Sequence, residues 1–190
     1  MKKILVLTSG GDAPGMNAAL RGIIREAGFN DTHVYAAYDG FKGLVEGQIL
    51  PLNNHDIGGH LQHGGTILGT ARYPLFQETP YVMKAYQNLK HRDIEGVIVI
   101  GGNGSLTGAH LLFKETGIPV VGIPASIDND LHGTDMAIGV DTALNTITYN
   151  VDKIRDTASS HSRIFVIEVM GRHCGYLALN SAISCGALAV

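Results

Sequence analysis

The chain is predicted to be an α/β protein, a mostly parallel sheet covered by helices on both faces in three layers. Three observations carry this prediction. Apolar runs bounded by turn residues recur at Ile4–Thr8, His33–Tyr38, Gly96–Ile100, Pro119–Ile123 and Arg163–Val169, with the lengths of buried strands. Helical apolar patterns fall between them at Met16–Ala27, Tyr81–Lys90, Ser105–Glu115 and Thr142–Ser159. Glycine, 25 residues in all, clusters at Gly10–Gly11, Gly64–Gly65, Gly101–Gly102 with Gly104, and Gly171. Strands that alternate with helices pair in parallel through right-handed crossovers, and such sheets bind ligands at the carboxyl ends of their strands.

Taken in order, Ile4–Thr8 is a continuous apolar run that ends on Gly10–Gly11, a strand feeding a loop, and Met16–Ala27 supplies the helix after it. His33–Tyr38 returns as a second strand. Gly96–Ile100 repeats the strand-to-glycine pattern and Ser105–Glu115 follows as a helix, with Ser105 placed to cap it. Pro119–Ile123 leads into Pro124–Asp130, Leu131–Gly139 is polar and turn-rich, and Thr142–Ser159 is a long helix. Arg163–Val169 reads as a further strand, and the chain closes on a strand-like Ala187–Val190. A last strand needs something to cover its edge, so the reading is of a truncated or unusually short chain.

Composition narrows the function classes. With 45% hydrophobic and 16% charged residues, the chain can bury a core and is not disordered. A net charge of -3 gives no basic field for nucleic acid. A small anionic substrate held by a few arginines remains compatible. No apolar run approaches the roughly 20 residues of a membrane helix, and no signal-peptide core follows Met1. Cys174 and Cys185 are expected to pack as thiols rather than form a disulfide, which places the protein in a reducing cytoplasm.

Three loops carry candidate chemistry. Thr8-Ser9-Gly10-Gly11-Asp12-Ala13-Pro14-Gly15-Met16-Asn17 joins a strand to a helix, so its backbone N–H groups and the positive helix end can face an anion. It is neither a Walker loop nor a dinucleotide fingerprint. Ile100-Gly101-Gly102-Asn103-Gly104-Ser105 repeats the arrangement. Two such loops on neighbouring strand ends can grip a polyphosphate from two sides. Pro124-Ala125-Ser126-Ile127-Asp128-Asn129-Asp130 sets two carboxylates two residues apart, and the residues alone leave open a metal ligand, a general base and an ordinary Asx turn. Arg72 and Arg172 sit where a catalytic cation would stand, since phosphoryl transfer is positioning plus charge stabilisation. His55, His60 and His63 fit no common metal-ligand spacing and read as solvated or core-edge groups.

Five segments together resemble the ATP-dependent 6-phosphofructokinase family of bacterial type: Leu7 to Asn17, Gly64-Gly65-Thr66 through Arg72, Gly101 to Ser105, Ser126 to Asp130, and Glu168-Val169-Met170-Gly171-Arg172. The resemblance implies a Rossmann-like phosphofructokinase fold with a nucleotide-binding lobe at 1–138 and, at 139–190, the incomplete start of a sugar-phosphate lobe. It implies transfer of the ATP γ-phosphoryl to the 1-hydroxyl of fructose 6-phosphate. Gly11, Arg72, Tyr73, Gly102, Asn103, Gly104, Ser105 and Gly108 would then line the ATP site, with Arg72 reaching the transferred phosphoryl and Asn103 helping to hold Mg2+. Asp128 would be the general base, with Ser126, Ile127 and Asp130 beside it. Arg172 would stabilise the transition state, Met170 and Gly171 would contact the sugar phosphate, and Arg163 would bind its 6-phosphate across a subunit interface, implying a homo-oligomer, commonly a tetramer. Arg21, Arg25 and Arg155 match an effector site.

The sequence also departs from the family pattern. Asn103 stands where bacterial members carry an aspartate, and an amide brings no charge to magnesium. Ser126 replaces a threonine and keeps its hydroxyl. Asn54 and Leu188 replace an arginine and a glutamate of the effector site, so control by ADP or phosphoenolpyruvate is expected to be weak or absent. Pyrophosphate-dependent relatives resemble this chain with an aspartate at Gly104 and a lysine near Ala125, so ATP is the expected donor. The other reading is a non-catalytic nucleotide-binding subunit.

Overall fold

Leu5 through Ser9 are all buried, as a strand covered on both faces requires. The computed structural model, which describes residues 1–190, makes them the centre of a sheet. Strand β1 (Lys3–Ser9) pairs in parallel with β2 (His33–Ala37) on one side and β4 (Gly96–Gly101) on the other. The edges are β3 (Ile49–Pro51), antiparallel to β2, and β5 (Val120–Pro124), parallel to β4. The order is therefore β3-β2-β1-β4-β5, a mostly parallel sheet with one antiparallel edge.

The chain leaves β1 toward β2 and later continues from β4 toward β5, in opposite lateral directions. Right-handed crossovers then put the connecting helices α1 (Met16–Phe29) and α4 (Asn103–Thr116) on opposite faces of the sheet. α1 buries a stripe of Met16, Leu20, Ile24 and Ala27. On the other face Leu5, Leu7, Val97 and Val99 pack with α2 (Gly40–Glu46), α3 (Thr79–Lys90) and α4 through Leu44, Val82, Leu89 and Leu112. Phe41 and Phe76 stack at 4.1 Å within this cluster. Phe76 belongs to a 3₁₀ turn at Pro74–Gln77.

Close backbone approach fixes one residue choice. A Cβ on Gly101, at the end of β4, would fall 2.8 Å from the Ser105 Cβ and against the Ser9 carbonyl. Gly101→Ala is expected to cost about 1–3 kcal/mol, as overpacking does. The check is a fall of the thermal midpoint by several degrees.

The residues form two units, Met1–Ala125 and Ser126–Val190. The predicted boundary lay after residue 138. Segment 126–138 instead closes on its own unit, where the Ser126 N–H donates to the Ile138 carbonyl at 3.1 Å. In the second unit α5 (Val140–His161) and α6 (Tyr176–Cys185) pack around Val140, Ala137 and Leu177, with Ile127, Leu131, Leu144, Ile147 and Val169 against them.

Four sequence expectations need correction. Arg163–Val169 is not a strand: it pairs with no other segment, and Ile164 and Val166 are 91% and 97% exposed. Its apolar pattern suits a sheet, but a strand exists only where a ladder partner lies alongside. Arg172 accordingly does not follow a strand. Ala187–Val190 likewise has no partner and forms no strand. β5 is an exposed edge, with Val121 59% accessible, rather than the buried strand expected. No helix is long and apolar enough to cross a membrane.

Candidate active site

The strand order reverses at β1 and β4, and a crevice opens at the carboxyl ends of strands that diverge in this way. Both glycine-rich loops leave the sheet there. Gly10–Gly15 runs from β1 into α1, and Gly102 stands between β4 and α4 as the N-cap, with no side-chain cap. Gly11 and Gly104 are exposed, and neither has any atom within 4 Å of where a Cβ would be. No side chain fills the space at either position, and the first N–H groups of α4, which have no intrahelical acceptors, belong to this end of the helix.

Ser105 does not cap α4, because the helix starts two residues earlier, at Asn103. Its buried hydroxyl instead donates to the Ser9 carbonyl at 2.9 Å and ties the two loops together. Gly108, one turn on, is buried beneath Phe41, whose ring lies 3.1 Å from a Cβ built there. That close packing sets how near α4 comes to the 3₁₀ turn after Arg72.

A third loop, Gly64–Arg72, is fastened to β1 and α1 by hydroxyl and amide side chains. The Thr8 hydroxyl shares a hydrogen bond with that of Thr66 at 3.0 Å and donates to the Gly69 carbonyl at 2.9 Å. The Thr70 hydroxyl donates to the Gly10 carbonyl at 2.9 Å. Buried Asn17 donates to the His63 carbonyl at 3.1 Å and accepts from the Ile67 N–H at 2.9 Å. Arg72 emerges from this frame exposed, with no hydrogen bond or ion pair. The chain's single ion pair joins Lys3 to Asp93, at 3.1 Å. Tyr73 is half-buried edge-to-face with Tyr81 at 5.9 Å. Its phenol is held above the ordinary tyrosine range by desolvation, then by Tyr81 and the carboxylates Glu46 and Glu78, so it stays protonated at neutral pH.

The donors on this rim fit a magnesium ion that arrives with polyphosphate rather than one caged by protein. Asn103 is exposed and its side-chain amide is unbonded, leaving the oxygen available as a ligand. No three His, Cys, Asp or Glu side chains converge anywhere in the chain. Magnesium commonly keeps several waters and binds through one or two protein groups plus substrate phosphates. His60 and His63 meet edge-to-face at 5.5 Å on the exposed 53–65 loop.

In the second unit Asn129 organises the acidic segment. It adopts a left-handed backbone with φ of 50°, donates to the Asp135 carbonyl at 3.1 Å and accepts from the Ala137 N–H at 3.0 Å. Asp128 beside it is half-buried and unbonded. The Ser126 hydroxyl lies 3.4 Å from a carboxylate oxygen of Asp130. Gly171 and Arg172 form a tight turn: the Cys174 N–H donates to the Gly171 carbonyl at 2.8 Å, and Arg172 is left-handed at φ 54°. Arg172, Met170 and Arg163 are exposed, and the Arg163 N–H caps α5 through the Ala158 carbonyl at 3.0 Å. Both cysteines are free thiols, Cys185 buried and Cys174 half-buried.

Of the effector candidates, Arg21 and Arg25 stand one turn apart on α1 without bonded partners. Arg155 is engaged, donating to the Cys185 carbonyl at the end of α6. The residues that sequence reasoning missed are Thr8, Asn17, Thr66, Thr70 and Asn129. Each lies inside a segment that the sequence singles out, but their side chains bond groups far along the chain or across a turn, and no local pattern shows those partners.

Comparison with known proteins accounts for the arrangement. The family model described as phosphofructokinase matches residues 3–190. The chain is 55% identical over 188 residues to an ATP-dependent 6-phosphofructokinase of Staphylococcus epidermidis, covering 98% of this chain and 58% of that one. It is 54% identical over 190 residues to the protein of the same name from Thermotoga neapolitana, covering all of this chain and 60% of that one. The chain thus spans less than two thirds of the curated relatives it matches. Among solved structures, phosphofructokinase from Saccharomyces cerevisiae superposes with a TM-score of 0.92 at 43% identity, over 98% of this chain and 28% of that one. A pyrophosphate-dependent phosphofructokinase of Marinobacter aquaeolei shares the fold, with a TM-score of 0.85, at 24% identity over 97% of this chain and 50% of that one. With its sheet, its paired glycine loops and nearly its whole length matched, the chain belongs to the phosphofructokinase family.

Proposed function

We propose that this chain is the nucleotide-binding and catalytic part of an ATP-dependent 6-phosphofructokinase, which moves the γ-phosphoryl of ATP to the 1-hydroxyl of fructose 6-phosphate. The observation that carries this reading is the pair of open glycine loops at the switch point, tied by the bond from Ser105 to Ser9. Backbone N–H groups there are held in place before any ligand arrives, the preorganisation that transfer to and from phosphate demands. Relatives over half identical in sequence carry the name of that activity.

In this reading Gly11, Gly102, Gly104 and Ser105 hold the polyphosphate by their backbones, while Tyr73 and Gly108 shape the wall behind it. Arg72 supplies positive charge to the transferred phosphoryl. Asn103 offers an amide oxygen to magnesium, whose chemistry when bound is to neutralise phosphate charge. In the second unit Asp128 takes the proton of the 1-hydroxyl, with Ser126, Ile127 and Asp130 beside the sugar. Met170, Gly171, Arg172 and Arg163 receive the sugar phosphate, and Arg172 also meets charge developing in the transition state. Arg163 acting across an interface implies a homo-oligomer, proposed to be a tetramer in the cytoplasm. A coupled assay for fructose 1,6-bisphosphate with ATP and magnesium tests the whole reading, and ATP binding without turnover would favour a non-catalytic nucleotide-binding subunit.

Choice of donor rests on Gly104. An aspartate fits there without steric conflict, since nothing lies within 4 Å of its Cβ position, and an acid in the first helical turn stabilises α4 by about 0.3–1 kcal/mol. Two unit charges 4 Å apart repel by up to about 4 kcal/mol at a surface dielectric. Gly104→Asp is therefore expected to raise the KM for ATP at least about tenfold, equivalent to roughly 1.4 kcal/mol, while the thermal midpoint holds or rises. An unchanged KM would remove Gly104 from the nucleotide site.

A further inference from the structure

We propose that Asn103–Gly104 is a self-modifying pair, in which the Gly104 amide nitrogen converts the Asn103 side chain to a carboxylate without an enzyme. This is the one Asn-Gly pair in the sequence, and it sits on the rim of the open crevice.

Four features of the site favour the chemistry. Asn103 is exposed and its side-chain amide has no partner to hold it away from the backbone. The Gly104 N–H lies in the first turn of α4, where nitrogens have no intrahelical acceptor, and it donates to no other group in the chain. Gly104 has no side chain to obstruct the approach, and nothing lies within 4 Å of where one would start. The positive end of the helix favours negative charge on the attacking nitrogen and on the oxygen of the tetrahedral intermediate. The backbone torsion of Asn103 must leave its helical value for the ring to close, and terminal helical residues open locally at little cost.

The reaction balances with water alone. The Gly104 nitrogen gives up its proton and bonds to the Asn103 side-chain carbonyl carbon, the carbon–nitrogen bond of the side-chain amide breaks, and ammonia leaves with that proton. A five-membered imide results. Water then adds to one of its two carbonyls and returns a proton to the Gly104 nitrogen. Opening at one carbonyl yields aspartate, and at the other isoaspartate. Aspartate carries a full negative charge where the side-chain amide stood, and isoaspartate carries it on the former main-chain carbonyl carbon of residue 103, the chain then running through the side-chain carbon. The consequence for magnesium rests on the functional reading above, because a carboxylate is a far better ligand for that ion than an amide. The conversion itself does not depend on that reading.

The experiment is to age the folded 190-residue chain in mildly alkaline buffer and read peptides by mass. Three samples run beside it: a Gly104→Ala variant, a synthetic peptide of residues 98–110, and the chain in ¹⁸O-labelled water. The expected result is a gain of one mass unit at Asn103, with label incorporation and an isoaspartyl fraction detected by its methyltransferase. Asn180–Ser181 is an internal control. It lies inside α6, where the Asn180 side chain donates to the Tyr176 carbonyl at 2.8 Å, and it should remain an amide. Gly104→Ala should slow conversion about tenfold, because a Cβ hinders the nitrogen, in a chain whose circular dichroism is unchanged. An intact Asn103 in the folded chain, whether or not the peptide converts, would overturn the proposal. Because every readout is a mass, failure here leaves the kinase assay untouched, and a silent kinase assay leaves the mass shift to stand.

Discussion

Asp128→Ser is expected to lower turnover by about 10²–10⁴-fold, the usual contribution of a positioned general base, with ATP affinity nearly unchanged. The carboxylate is half-buried and forms no ion pair or hydrogen bond within the chain, so its removal strands no partner. The turn that presents it is held instead by Asn129, through Asp135 and Ala137. Serine should thus leave the local fold intact, and the loss should fall on kcat rather than on KM for ATP. Steady-state kinetics with nucleotide titration by fluorescence separates the two. Unchanged turnover would remove Asp128 from the role of base.

The second large effect is expected at Arg72. A cation that stabilises a transferring phosphoryl group accounts for about 10³–10⁵ in rate, and Arg72→Ala should lose on the order of 10³-fold in kcat/KM. The loop that carries it is secured by Thr8, Thr66, Thr70 and Asn17, none of which touches the guanidinium, so the variant should melt within a few degrees of the parent. Arg72→Lys should recover only part of the loss, since lysine lacks the planar fork that meets two phosphate oxygens at once. Full activity in Arg72→Ala would show that the charge at the phosphoryl comes from elsewhere.

Much of the nucleotide-binding unit was readable because its physics is local. β1 and β4 are runs of branched apolar residues buried on both faces, and α1 has a 3.6-residue apolar stripe ending at polar Asn30. Other elements were not readable for equally physical reasons. β3 has only three residues and exists because β2 lies beside it. α2 begins on Gly40 and spans seven residues, too few to display a period. Arg163–Val169 misled in the opposite sense, with strand-like composition and no partner strand. At the site, glycine and charge patterns pointed to the loops, but the hydroxyls that fasten them bridge separations of about 60 residues, from Thr8 to Thr66 and Gly10 to Thr70. No local pattern encodes such a pairing.

The Asn17 side chain gives the Gly64–Arg72 loop a further property. The Ile67 N–H is bonded to the side-chain oxygen of buried Asn17 in the first turn of α1, so it meets solvent only when the loop parts from that side chain. Its exchange with deuterium should therefore be slower than that of an unanchored surface loop. In kinetic terms the segment leading to Arg72 is moored to the helix through one side chain, although by secondary structure it is coil.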